Sequence, residues 1–286
     1  MKSRRRNWRR RSIRGVSPAI STVIITGVII ALVSVTVSFA NNTLWMKVAE
    51  SDFNSAEQFM QTIGLEIDDV AWVIGRTETV RYSSRYGEVS FQPSVLKYTI
   101  YVDTGDEGGY QLFVNYTVGV LLFNIPVEQY SMFNGYHKLI YPPSANTLIL
   151  NGTSAPVVRV FAVEKLPMAD GSFIRVVVAP CVRSFFSNVT GEGASTCYVK
   201  LYLPVLEQGS SPRRAQSVTL TGSSVTAETV GDVISLKVNV EFPSDTLGFD
   251  DSFFQFPFTE EDIDTPDGSV LEVYAGEVRV EFGVHV

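Results

Sequence analysis

The sequence predicts an α+β protein in which a long N-terminal helix, transmembrane and then amphipathic, packs on a mainly antiparallel β-sandwich. Three observations carry this prediction. No charged residue occurs between Gly15 and Met46, apolar residues then recur with helical spacing as far as Ile74, and the apolar period changes to two from Thr77 onward. The predicted segments are a leader at 1–15, a helix at 16–75 and an extracellular β-rich domain at 76–286.

Charge is distributed unevenly along the chain. Eight of its 23 basic residues and none of its 30 acidic residues lie before Gly15, so the remainder is strongly acidic. A basic cluster beside an apolar run is typical of the cytoplasmic flank of a membrane span. The acidic remainder argues against binding to nucleic acid.

The apolar run is long enough to cross a bilayer. Residues 16–40 supply 25 positions where about 20 suffice. Three fates are open: cleavage after Ala40 as in a secretory signal, retention as an uncleaved anchor, or cleavage on the cytoplasmic side after Gly15. The run exceeds the 7–15 residues usual for secretory signals, which disfavours the first fate.

The succession of a basic cluster, Arg14-Gly15 and VSPAISTVIITGVIIALVSV resembles the class III signal of archaeal type IV pilins and pilin-like proteins. The resemblance covers about an eighth of the chain. It implies that a prepilin peptidase cuts between Gly15 and Val16 and that the freed helix joins a filament core. Ile20 occupies the place where bacterial pilins carry glutamate, so a carboxylate-to-amine contact between subunits is not expected.

The resemblance also implies a biological setting. Partners would be copies of the chain or other pilins, the peptidase and the assembly machinery, with the membrane holding the helix before assembly. The chain would be a non-enzymatic major, minor or adhesive filament subunit, without a cofactor, at the cell membrane and on the cell surface. The alternative is a singly anchored extracellular β-sandwich that does not polymerise.

Small residues form a stripe on the apolar run. They recur at intervals of four, three and four, which places Gly27, Ala31, Ser34 and Ser38 on one helix face. Such stripes permit close approach of helices in a membrane, although small residues are also tolerated in a single span.

A second helical pattern follows the apolar run. An apolar seam with steps of four and three predicts a helix that ends at Gly75 and buries Ala49, Phe53, Ala56, Met60, Ile63, Ile67, Val70 and Ile74. The predicted helix from Pro18 to Ile74 has 57 residues. Gly64 interrupts its interior and could mark a kink.

From residue 77 onward, ten to twelve strands are expected. The clearest are 95–102, 156–163, 173–179, 198–206, 233–242 and 277–286. The polar segment 207–216 is a possible internal boundary, but the residues after it hold too few strands for an independent sandwich.

Two kinds of surface modification are expected of an exported protein. Cys181 and Cys197 would form one disulfide, with two buried thiols as the alternative. N-x-T triplets mark possible N-glycosylation at four asparagines: Asn41, Asn115, Asn151 and Asn188.

No pattern in the sequence indicates a catalytic or metal site. Asp262, Asp264 and Asp267 resemble the start of a calcium loop, but no glutamate closes it, so a solvated turn is expected. Arg76, Arg81 and Arg85 are expected to neutralise acidic surface. The alternative is a basic aromatic patch with neighbouring tyrosines that binds anionic sugars.

Overall fold

The computed structural model describes residues 18–105, 108–143, 147–190, 195–210 and 216–283, with a long N-terminal helix followed by a predominantly β region. The leader with Gly15, and Val16 after it, lie outside these residues, as do 211–215 of the segment 207–216 and the last three residues. The chain divides into two compact units, residues 1–48 and Ala49–Val286.

Helix α1 comprises Pro18–Val70. The strands found in the described residues are β1 (Thr77–Arg81), β2 (Glu88–Asp103), β3 (Gln111–Pro126), β4 (Tyr136–Tyr141), β5 (Ile149–Asn151), β6 (Val158–Glu164), β7 (Phe173–Pro180), β8 (Val182–Thr190), β9 (Ser195–Gln208), β10 (Ser217–Glu241) and β11 (Glu260–Phe282). A 3-10 helix at Asp245–Leu247 and the short helix α2 (Asp251–Phe254) lie between β10 and β11.

These strands form one sheet in the order β4-β6-β7-β3-β2-β10-β11-β9-β8-β5, with β1 added beside β10. The pairings are antiparallel except β11 with β9 and β5 with β8. Strand β9 also contacts β3 and β7, although several strands separate them in the sheet order, so the sheet bends back on itself. Strands before and after the segment 207–216 belong to this same sheet.

The second half of α1 belongs to the core of the β-rich unit. Each of the seven seam residues from Ala49 to Val70 is at most 2% exposed. Gly64 faces β6, where an added Cβ would lie 3.0 Å from a methyl group of Val158 and 3.1 Å from one of Val160. The absence of a side chain at Gly64 therefore allows the helix to approach the sheet closely.

The helix ends four residues earlier than predicted. Ala71–Gly75 form a turn in which Ile74 is 67% exposed, so its predicted place in the buried seam is wrong. The turn docks on β10, where the Gly75 amide donates to the Gly222 carbonyl and the Gly222 amide to the Arg76 carbonyl. An added Cβ on Gly222 would meet the carbonyl oxygens of Val70 and Val73 at 2.6 Å, so a glycine is needed at this contact.

The acidic segment expected to form a solvated turn lies instead within β11. Asp262 pairs with Lys237 of β10 in register and lies 3.5 Å from its Nζ atom. The ladder shifts register between Val233 and Ser235, opposite Pro266 to Gly268, so the irregularity predicted by Pro-Asp-Gly is accommodated as a bulge.

Candidate functional site

The first unit presents apolar side chains to its surroundings on every side. All described side chains from Ala19 to Met46 are exposed except Ser21, which is half-buried. Adjacent pairs such as Ile24-Ile25 and Ile29-Ile30 leave no polar face, and each of these four side chains is more than half exposed. A helix that is apolar all round is typical of a membrane span or of the interior of an assembly.

By length and composition this helix could cross a membrane. Its most apolar window has a mean hydropathy of 2.5 and is not buried by the rest of the protein. Two threonine hydroxyls of this segment bond within the helix: Thr22 donates to the Ala19 carbonyl at 2.9 Å and Thr36 to the Leu32 carbonyl at 2.8 Å. Internal pairing of polar groups is what an apolar surrounding requires.

The predicted small-residue stripe lies on this exposed helix. Gly27, Ala31, Ser34 and Ser38 are all exposed, and a Cβ added at Gly27 would meet nothing within 4 Å apart from the nearby backbone of its own helix. Space for a side chain at Gly27 is therefore open in the part of the chain that the structure describes. Its role in packing against another helix stays a prediction.

Two acidic residues of α1 within the β-rich unit, Asp52 and Glu57, hold polar groups of the strands and loops around them. Oδ2 of Asp52 accepts hydrogen bonds from the Ser84 hydroxyl at 3.0 Å and from the amides of Arg85 and Tyr86 at 2.8 and 3.1 Å. Glu57 receives both of its bonds from Nζ of Lys138, each 2.8 Å long. No sequence pattern indicated these partners, because they are separated from α1 by 32 to 81 positions.

The disulfide prediction is wrong, since Cys181 and Cys197 are both free thiols. Cys197 pairs in register with Asn188 of β8, whereas Cys181 immediately precedes that strand. Seven extended residues separate the two positions along β8, or about 23 Å, against at most about 7 Å between the Cα atoms of a disulfide. Cys181 is instead buried, and burial raises the pKa of its thiol to about 12.

The four candidate glycosylation sites are exposed. Asn115, Asn151 and Asn188 lie on β3, β5 and β8, and Asn41 lies on α1. Their accessibility is compatible with modification, which stays a prediction.

The three arginines of the possible sugar-binding patch do not act together. Arg76 forms ion pairs with Asp69 at 3.0 Å and Glu78 at 3.4 Å, consistent with neutralisation of acidic surface. Arg81 and Arg85 are exposed at the opposite end of β1, and Arg85 lies 5.6 Å from the ring centre of Tyr86.

Comparison with protein-family models, curated proteins and solved structures finds no match to the chain. In the described part of the chain, no three His, Cys, Asp or Glu side chains are grouped as ligands for a metal ion. A cleft of about 360 Å³ lies between α1 and β1, lined by residues that include Ser55, Phe59, Thr62 and Tyr82. The described residues leave the apolar surface from Ala19 to Met46 exposed.

Proposed function

We propose that the chain is a structural subunit of an archaeal type IV pilus-like surface filament, assembled through the apolar half of α1. The observation that carries this proposal is the contrast within one helix: residues 19–46 carry apolar side chains on all sides and, apart from Ser21, are exposed, whereas Ala49–Val70 bury a seam in the β-rich unit. A helix of this kind can exchange lipid for equivalent helices of other subunits without changing its own fold.

In this proposal the remaining parts of the chain have distinct roles. The basic leader orients the N-terminus inward, the peptidase cuts between Gly15 and Val16, and the small-residue stripe packs against other helices. The sheet, which bends back on itself, forms an extracellular sandwich that coats the filament and contacts surfaces or other cells. The subunit acts by assembly and adhesion, not by catalysis.

A singly anchored surface protein is the second candidate. It is favoured by the apolar window of α1, which alone satisfies the length and hydropathy of one membrane span. This candidate requires neither the small residues of the stripe (Gly27, Ala31, Ser34 and Ser38) nor the glycine at Gly15. Processing and assembly therefore distinguish the two candidates.

The test is Gly15→Ile in the native host, with Ser12→Ala as a control in the same leader. We expect Gly15→Ile to retain the leader, seen as a higher mass, and to give no filaments in electron micrographs of sheared surface material. Ser12→Ala should be processed and should assemble. Normal filaments from Gly15→Ile would sink the proposal, whereas an intact leader in the native protein would favour the simple anchor.

A further inference from the structure

Strand β8 has an uncovered edge in the described part of the chain. Its residues 182–184 pair with β5 on one side, and its residues 183–190 pair with β9 on the other. No described strand lies beside residues 185–190 on the side where β5 ends. The second half of β8 therefore forms an open edge of the sheet.

The hydrogen bonds to β5 show which backbone groups face this open edge. The Val182 amide donates to the Leu148 carbonyl, and the Ser184 carbonyl accepts from the Gly152 amide. Successive residues of a strand direct their backbone groups to opposite sides, and the ladder of β8 with β9 has no register shift that would change this alternation. The residues that continue the series past β5 are Phe186, Asn188 and Thr190.

The open edge lacks the features that usually prevent strands of different molecules from pairing. Sheet edges are commonly protected by charged residues, proline, bulges or short strands. Strand β4 carries Lys138 and a register shift, β1 carries Glu78 and Arg81, and β5 has only three residues. Residues 185–190 read FFSNVT, with no charge, proline or glycine. Of these edges, the one at β8 is the least protected.

Apolar side chains are exposed on both faces of the open edge. Phe186 is 40% exposed and Val189 is 55% exposed. Because side chains alternate between the two faces of a strand, these two lie on different faces. A strand added along the open edge would cover part of each side chain and would also pair the free backbone groups.

Charge and pattern favour the same segment of a second copy as the added strand. With 30 acidic and 23 basic residues, two copies of the chain carry net charges of the same sign, and residues 185–190 add nothing to this repulsion. An antiparallel pair centred on Asn188 brings no like charges opposite each other, and the two Asn188 side chains can bond to one another. The facing pairs are Asn188 with Asn188, Ser187 with Val189, and Phe186 with Thr190.

We propose that residues 186–190 of β8 pair with the same residues of a second copy, antiparallel and about a two-fold axis at Asn188. In this register every residue whose backbone faces the open edge meets another such residue, and each of these pairs exchanges two backbone bonds. Strand β5 limits the overlap, since it occupies the edge as far as Ser184. The β-rich unit alone makes this contact, so copies of the chain gain a means of association that is separate from α1.

Disulfide trapping tests both the pairing and its register. The full chain in detergent carries Cys197→Ser, because Cys197 lies opposite position 188 within its own hairpin and would capture a new thiol there. Cys181 is retained, since it is buried. Asn188→Cys and Thr190→Cys are then compared after oxidation with copper phenanthroline. Both substitutions remove the same N-x-T triplet, so loss of a glycan does not distinguish them.

The proposed register predicts different yields from these two chains. Two Cα atoms at position 188 would lie about 5.5 Å apart, which a disulfide can bridge. Two residues at position 190 would be offset by four positions, or about 13 Å along the strands, which a disulfide cannot bridge. We expect a covalent dimer from Asn188→Cys and almost none from Thr190→Cys. Association through α1 would raise the two yields alike.

A second pair of substitutions tests the backbone bonds. In the Asn188→Cys chain, Thr190→Pro removes an amide that faces the open edge, whereas Thr190→Val keeps it. We expect the proline to lower the dimer yield several-fold and the valine to leave it unchanged. The proposal is overturned if Asn188→Cys gives no dimer, if Asn188→Cys and Thr190→Cys give equal yields, or if the proline leaves the yield undiminished.

Discussion

Two stretches of the same helix place their apolar side chains in opposite environments. In residues 19–46 apolar residues occupy all sides and are exposed, whereas in Ala49–Val70 they follow one seam and are buried against the sheet. The seam residues of the second stretch are buried by their own chain. The first stretch is exposed in the described residues, and the proposed function assigns it to contact with lipid or with other helices.

The sharpest test of this contrast is a pair of isoleucine truncations. Ile63→Ala removes a side chain that is fully buried in the seam, and we expect it to lower the free energy of unfolding of the β-rich unit by about 2–5 kcal/mol. Ile29→Ala, at a position 53% exposed, should change that free energy little. Both free energies are measured by denaturant unfolding of the detergent-solubilised protein. The signal is the fluorescence of Trp72, whose ring packs edge-on against that of Tyr202. Equal losses from the two substitutions would contradict the division of roles.

A charge in the first stretch should produce the reverse pattern. Ile29→Asp places a carboxylate near the centre of the predicted span, and we expect it to disfavour membrane insertion by about 3 kcal/mol while leaving unfolding of the β-rich unit unchanged. Carbonate extraction of membranes measures the inserted fraction, with Ile29→Leu as the control. Undiminished insertion of the aspartate variant would show that this stretch does not cross the bilayer.

The two helix glycines should separate packing within the chain from packing between chains. Gly64→Ala adds a methyl group that meets Val158 and Val160, and we expect a net destabilisation of about 1 kcal/mol despite the better helix propensity of alanine. A Cβ added at Gly27 meets nothing within 4 Å in the described residues beyond the nearby helix backbone, so we expect Gly27→Ile to leave stability unchanged while filament yield falls. Stabilisation by Gly64→Ala would contradict close packing of the helix on the sheet at Gly64. Full assembly of Gly27→Ile would contradict packing between chains at Gly27.

The smallest expected effect is a pH dependence confined to the β-rich unit. Burial against Phe161 and Phe256 lowers the pKa of His137 below its usual 6.5 in the folded state. The unfolded chain therefore takes up a proton first as the pH falls, so stability is complete above about pH 6.5 and declines below it. His137→Gln should flatten this part of the unfolding curve between pH 7 and 5. An unchanged slope would show that other groups cause the dependence.

Local patterns in the sequence were sufficient for the helix and for most strands. The seam from Ala49 to Val70 was predictable because burial against one surface imposes helical spacing on apolar residues. The end of α1 was not, because Ile74 continues that spacing although contacts with the distant Gly222 have already turned the chain. Strand pairing is equally non-local: the expected export of the chain suggested a disulfide between Cys181 and Cys197, but the register of β8 and β9 separates them.

The candidate site was predictable only in part for the same reason. The exposed run from Ala19 to Met46 is visible in composition alone. The anchoring of the loops at 82–87 and 127–135 is not, because it depends on Asp52 and Glu164, which are distant from them in sequence.

The proposed role of α1 in assembly requires that its exposed stretch remain in the mature protein. N-terminal sequencing of protein recovered from sheared surface filaments tests this requirement. We predict Val16 as the first residue, with the apolar stretch retained in the polymer. A chain that begins at Asn41 would contradict the account, because the stretch assigned to assembly would then be absent from the mature protein.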